Sequence, residues 1–178
     1  MTDLSMHILD IAENSINAGA KNIGIYIIED EKNNLLTIEI TDDGKGMTAE
    51  ETESIQNPFV TSRTTRKVGL GIPLLKESAE IAGGRIEIES VTGKGTKVKA
   101  YFEYNHIDRR PLGNMAETLI SIILLSEDTE IKYRHVKNGK EFEFSTNEIK
   151  NQLGIEKLNN ITVLNQLKKI LTEKISET

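Results

Sequence analysis

The sequence predicts an α+β fold, a helix layer over a largely antiparallel sheet forming a two-layer sandwich, with a small α/β extension at the carboxy terminus. Over residues 1–104, apolar positions at helical spacing trade places with alternating β-rich runs in the order helix, two strands, helix, irregular loop, helix, two strands. The strands come in pairs joined by short polar turns, which favours antiparallel neighbours. Strand periodicity then stops between Asn105 and Gly113, where Arg109-Arg110-Pro111 has the character of a connector, and this sets residues 105–178 apart as an extension.

Leu4, Ile8, Ile11, Ser15 and Ala18 share one helical face, broadened by Met6, Leu9 and Ile16 and stopped by Gly19, so a helix is expected over about 4–18. Asn22–Ile28 and Leu35–Thr41 follow as paired strands around the polar segment 29–34. Asp42-Asp43-Gly44-Lys45-Gly46 breaks the pattern, a short helix is expected from Ala49 to Ile55, and residues 56–68 show no periodicity. From Leu70 to Ala82 the helical stripe of Ile72, Leu75, Ala79 and Ala82 ends at Gly83-Gly84. Ile86-Ile88 and Val98-Ala100-Phe102 alternate as strands about the turn Thr92-Gly93-Lys94-Gly95. In the extension, a helix over 114–125 precedes a hairpin of Glu130–Val136 and Glu141–Phe144 around Asn138-Gly139. Ser145 and Glu148 are spaced as a capping box for a short helix ending near Gly154, and Val163, Leu164, Leu167, Ile170 and Leu171 mark a last amphipathic helix.

Composition narrows the chemistry. With no cysteine, disulfides, thiolate zinc, iron–sulfur ligation and a cysteine nucleophile are excluded together, and any metal must be held by oxygen or histidine. The net charge of −6 belongs to residues 1–104, which carry 11 basic and 17 acidic residues against 11 of each in the remainder; it argues against nucleic acid as a partner. No basic and then apolar leader opens the chain, and the apolar run Leu119–Leu125 is far short of the ~20 residues that span a bilayer, so a cytoplasmic protein without membrane attachment is expected.

Three polar segments at the ends of the expected elements could carry chemistry. Asp10 and Asn14 stand four apart and share a helical face. Asp42 closes an alternating strand where a carboxylate can accept from an exocyclic amine, while Gly44 and Gly46 admit a close ligand. Gly69-Leu70-Gly71 opens a helix behind Arg63, Arg66 and Lys67, a combination suited to an anion. Neither a P-loop nor a Gly-x-Gly-x-x-Gly fingerprint occurs.

Taken in order, these segments resemble the ATP-binding domain shared by DNA gyrase, heat-shock protein 90, histidine kinases and mismatch-repair ATPases, the GHKL superfamily with its Bergerat fold. Asp10-Ile-Ala-Glu-Asn14-Ser-Ile-Asn-Ala-Gly-Ala20 matches its asparagine box, in the mismatch-repair form especially. Asp42–Gly46 matches the Asp-x-Gly-x-Gly box, Pro58–Ser62 through Gly69-Leu70-Gly71 the lid and Gly-x-Gly box, and Gly93-Lys94-Gly95-Thr96 the closing Gly-x-Gly-Thr. The resemblance covers about residues 3–104.

The resemblance implies ATP and Mg²⁺ as cofactors. Asn14 would ligand the metal, with phosphate oxygens and water completing its octahedron. Asp42 would hold the adenine amine, Gly44 and Gly46 would let backbone lie against the base, and Thr96 would support the adenine end. Gly69, Leu70 and Gly71 would wrap the phosphates, and lid residues from Thr61 to Lys67 would close over them with Arg63, Arg66 or Lys67 offsetting charge. Asp10 stands where ATP-hydrolysing relatives carry glutamate, one methylene shorter, and is the expected catalytic base. Asn17 is a second departure, at a position where histidine kinases often place a phosphate-contacting cation.

The asparagine box begins within the first ten residues, so the expectation is not a complete sensor kinase but a stand-alone regulatory protein kinase acting on a separate protein, resembling anti-sigma serine kinases. Two alternatives stay open: a slow ATPase serving as a nucleotide-dependent switch, and an ATP-gated binding module without turnover. Residues 105–178 are the expected site of partner choice or homodimer formation. His7, His106 and His135 are expected to be structural.

Overall fold

The computed structural model describes residues 3–56 and 71–178, which form six helices and six strands. Helix α1 (Leu4–Asn17) opens the chain, with Asp3 as N-cap accepting from the Met6 N–H at 3.2 Å. The free N–H groups of Leu4 and Ser5 are taken by the carbonyls of Pro111 and Leu112, so the connector to the extension is strapped onto the start of α1. Gly19, at φ +81, ends the helix as its place in the sequence predicts.

Strands β1 (Asn22–Asp30) and β2 (Leu35–Asp42) pair antiparallel, followed by α2 (Ala49–Gln56), α3 (Gly71–Ile81), β3 (Arg85–Val91) and β4 (Gly95–Glu103). The extension supplies α4 (Met115–Leu125), β5 (Glu130–Lys137), β6 (Lys140–Ser145), α5 (Thr146–Leu153) and α6 (Ile161–Glu177). Each strand runs one or more residues past its expected bounds, because ladder hydrogen bonds continue where the apolar alternation has ended.

All six strands form one sheet in the order β3-β4-β2-β1-β5-β6. Every pairing is antiparallel except β1 with β5, which run parallel from Asn22 opposite Glu130 to Glu29 opposite Lys137. The hairpin of the extension therefore continues the sheet of residues 1–104, and buried apolar side chains from both segments, Leu4 and Leu171 alike, join one core. Ile23, Ile25 and Ile27 of β1, Leu36, Ile38 and Ile40 of β2, and Val98, Ala100 and Phe102 of β4 fill the inner face beneath the helices. α1 lies between α3 and α4, and α6 packs on α4. The opposite face is polar: Glu87, Lys99, Glu39, Tyr26, Arg134 and Glu143 form a register-matched row across all six strands. Such one-sided burial is typical of mostly antiparallel sheets. No helix among the described residues is long and apolar enough to cross a membrane.

Candidate nucleotide site

The expected site residues that are described gather at one end of the sheet, under α1. Asp42 closes β2 with its side chain on the helix-covered face, and its two oxygens are held separately. Ser15 of α1 donates its hydroxyl to Oδ2 at 2.7 Å, and the Gly44 N–H donates to Oδ1 at 2.9 Å. The carboxylate is thus fixed in orientation yet remains half-buried at the mouth of the fold, able to accept a further donor. Asp43 does something else. It accepts from the N–H groups of Lys21 and Asn22 and from the Asn22 side chain, at 2.7–2.8 Å, clamping the entry to β1. Burial alone would raise its carboxyl, but these hydrogen bonds outweigh it and hold the group below its ordinary range.

Thr96 lies opposite Asp42 in the β2–β4 register and opposite Ser90 in the β3–β4 register, so three polar side chains form a row across the sheet end. The Ser90 hydroxyl accepts from the Met47 N–H at 2.8 Å and lies 2.8 Å from Thr96 Oγ1. The Gly44–Met47 loop is pressed against the β3–β4 turn: the Gly93 N–H donates to the Lys45 carbonyl at 2.7 Å, and a Cβ on Gly46 would fall 2.1 Å from the Val91 carbonyl oxygen. Gly46 also has φ +64, so only glycine serves there.

Asp10 and Asn14 lie further along α1, half-buried on the face toward α3. Neither the carboxylate nor the amide has a hydrogen-bond partner among the described residues. Gly71 brings the start of α3 onto this spot, since a Cβ there would sit 2.8 Å from Asp10 Cβ and 3.3 Å from Ile11 Cγ1. The positive end of an eleven-residue helix therefore faces the helix that carries both polar groups. Among the described residues no group of three or more carboxylates or histidines could hold a metal alone. A Mg²⁺ ion here would be bound by the Asn14 amide oxygen together with ligand phosphates, a donor set that suits its preference for oxygen and retained water. Thr61, Arg63, Arg66, Lys67, Gly69 and Leu70 lie outside the described residues.

Residues 2–106 match the family described as HATPase_c, the histidine kinase-, DNA gyrase B- and HSP90-like ATPases. The chain belongs to this family. As a GHKL protein it is similar to the sensor histidine kinase ZraS of Escherichia coli O157:H7, 29% identical over 110 residues that cover 62% of this chain and 24% of that protein. It is also similar to the sensor histidine kinase YvrG of Bacillus subtilis, 28% identical over 94 residues, covering 51% of this chain and 16% of the relative. The chain thus spans about a quarter or less of the length of these curated relatives. In three dimensions it superposes on the crystal structure of the N-terminal domain of a DNA repair protein with a TM-score of 0.53 at 17% identity, over 82% of this chain and 53% of that one, which places both in one fold.

Two side chains that lie within hydrogen-bond distance of candidate site residues, Ser15 at Asp42 and Ser90 at Thr96, are not singled out by the sequence. Ser15 entered only as part of the apolar face and box, although its position directly after Asn14 sends its hydroxyl to the sheet. Ser90 carries no local signal, and its place beside Thr96 follows from strand register. The histidines are all placed away from the Asp42 end. His7 is buried on α1 with no hydrogen bond to either ring nitrogen among the described residues; burial and then the nearby Arg110 cation push its pKa down, favouring the neutral ring. His135 is buried between Glu29 (2.8 Å) and the Tyr133 hydroxyl (3.1 Å). His106 accepts from the Asp108 N–H through Nδ1 at 3.2 Å.

Proposed function

We propose that this GHKL chain binds Mg-ATP along α1 and acts as a regulatory protein kinase on a separate protein. The observation that carries the reading is the division of labour on one helix: Ser15 orients the Asp42 carboxylate, while its neighbour Asn14 and, more than a turn earlier, Asp10, which lies against the start of α3, have no hydrogen-bond partner among the described residues. A single rigid element thereby fixes the distance between base recognition and phosphate chemistry.

In this reading Asp42 accepts from the adenine amine and Gly44 and Gly46 admit the base against backbone. Asn14 ligands Mg²⁺, which when bound offsets the charge on the phosphates. The start of α3 at Gly71, with Gly69 and Leu70 before it and Thr61, Arg63, Arg66 and Lys67 of the lid, receives the triphosphate. Asp10 accepts the proton of a serine or threonine hydroxyl as that oxygen bonds to the γ-phosphorus and the bond to the ADP oxygen breaks. Residues 105–178 select the partner or a second copy; Leu124, Leu125 and Ile161 are exposed apolar positions suited to that role. We place the activity in the cytoplasm, where its nucleotide is abundant.

The test uses γ-labelled ATP and Mg²⁺ with the wild type and Asp10→Asn, in the presence of proteins that co-purify with the chain. Label on a partner's serine or threonine with wild type alone is the expected result. Release of inorganic phosphate without transfer would instead make the chain a slow ATPase switch, and nucleotide binding without either product would make it an ATP-gated binding module.

A further inference from the structure

One buried titratable side chain on α1 has no task in the reading above. His7 is 1% exposed, and neither of its ring nitrogens has a hydrogen-bond partner among the described residues. Buried polar groups are nearly always paired, so an unpaired imidazole on the helix that carries the site calls for a physical reason. Asp3, His7, Asp10 and Asn14 follow at intervals of four, three and four, the spacing that stacks side chains in one stripe along a helix. His7 therefore stands between two carboxylates on its own stripe. Asp3 is engaged: as N-cap of α1 it accepts from the Ser5 hydroxyl at 2.7 Å and from the Met6 N–H at 3.2 Å. Asp10, on the other side, has no hydrogen-bond partner among the described residues.

The charges that act on the ring oppose one another. Burial first, then the Arg110 cation of the connector and the amino-terminal charge, disfavour a proton, while Asp10 and Asp3 favour one. The ring therefore takes its proton only below the ordinary 6.5. Of the helices packed on α1, α3 turns Gly71, Ile72, Leu75, Ser78 and Ala79 inward and carries Lys76, Glu77 and Glu80 at half-buried or exposed positions, Lys76 pairing with Glu80. α4 carries one charge, Glu117, which pairs with Lys168 at 2.7 Å.

A neutral His7 leaves the Asp10 carboxylate open. Once protonated, both ring nitrogens are donors, and a buried cation needs an acceptor. Asp10 is the open carboxylate on the same stripe, and a pair three residues apart on a helix forms by side-chain rotation alone. We infer that His7 is an acid-operated brake on the site: in its protonated form it hydrogen-bonds the Asp10 carboxylate and occupies the lone pairs that would accept the proton of the attacking hydroxyl. The brake is internal to α1 and releases when the ring loses its proton.

This inference rests on the role of Asp10 as base proposed above, and two measurements on the full chain separate their failures. The first needs no nucleotide: the His7 ring is titrated by NMR in wild type and in Asp10→Asn. Loss of the carboxylate should lower the His7 pKa by about one unit or more, and an unchanged titration would overturn the inference. The second follows kcat with Mg-ATP from about pH 8 to about pH 5 in wild type and His7→Leu. At the pH where NMR finds His7 half-protonated, wild type should have lost about half of its plateau rate, while His7→Leu keeps its own. Coincident pH profiles for the two proteins would overturn the inference and leave Asp10 as base standing. Should His7→Leu fail to fold, a wild-type kcat that holds constant through the His7 titration overturns the inference equally. A wild type without turnover at any pH would overturn the reading of Asp10 as base, and the inference with it, whatever the ring titration shows.

Discussion

At the Asp42 end of the site the polar side chains are held in place by protein hydrogen bonds, whereas at the Asp10 end the side chains of Asp10 and Asn14 make none among the described residues. Asp42 is held by Ser15 and Gly44, and Ser90 is bonded to Met47 and lies within hydrogen-bond distance of Thr96. Asp10 and Asn14, on the same helix, have no hydrogen-bond partner for their side chains among the described residues. The contrast fits two different tasks. A flat base is recognised best by groups whose direction is fixed beforehand, since their ordering has been met during folding. A metal and its phosphates arrive with their own geometry and need ligands that are not already satisfied by protein.

If the two ends do divide the work in this way, substitutions should separate them. The largest effect is expected at Asp10. Asp10→Asn should lower the rate of γ-phosphoryl transfer or phosphate release about a hundredfold or more while ATP affinity, read by calorimetry, changes by no more than about twofold. An equal fall in rate and affinity would place Asp10 in binding.

Two glycine substitutions then contrast the ends directly. Gly46→Ala drives a Cβ into the Val91 carbonyl at a left-handed position and should cost about 2–4 kcal/mol in chemical denaturation, weakening adenosine and ATP alike. Gly71→Ala pushes the start of α3 off Asp10 and should weaken ATP several-fold more than adenosine, because adenosine has no phosphate to lose contact. Identical ligand profiles for the two variants would break the comparison.

Ser15→Ala removes the 2.7 Å bond to Asp42 Oδ2 and should weaken adenosine and ATP by the same factor of about tenfold, leaving the dependence on Mg²⁺ intact. A smaller, pH-dependent effect is expected at the opposite end of the sheet, where Glu29 joins β1 to His135 of β5. Burial would raise the Glu29 carboxyl, but hydrogen bonding to His135 and the Lys137 charge outweigh it, so its pKa lies below the ordinary 4.5. A depressed carboxyl contributes stability in full above its unfolded value and loses it as the pH falls through the folded one. Acid should therefore destabilise wild type below about pH 4.5 more steeply than Glu29→Gln, as followed by thermal unfolding.

Much of this was legible beforehand where the signal is local. Leu4, Ile8 and Ile11 define α1, and Asn138-Gly139 folds as the tight turn its residues demand, with φ of 49° and 87°. Ser145 caps α5 through the Glu148 N–H as its spacing implies. Asp10, Asn14, Asp42, Gly44, Gly46, Gly71 and Thr96 were all singled out from motif and spacing. What stayed hidden depends on partners distant in the chain. The periodicity of β5 announces a strand but carries nothing to say that β1 is its neighbour, a hundred residues away and parallel. The two adjacent aspartates look alike in sequence, yet strand geometry sends Asp42 to the site and Asp43 to the Lys21–Asn22 backbone. Ser90 becomes meaningful only once β3 and β4 are in register.

Binding of ATP with and without Mg²⁺, measured by calorimetry on wild type and Asn14→Ala, tests the central claim most directly. Tighter binding by wild type in the presence of Mg²⁺, and an Asn14→Ala variant that still binds ATP but no longer responds to the metal, is the result this account predicts. A wild type that binds no ATP, or an Asn14→Ala variant whose response to Mg²⁺ equals that of wild type, would contradict it.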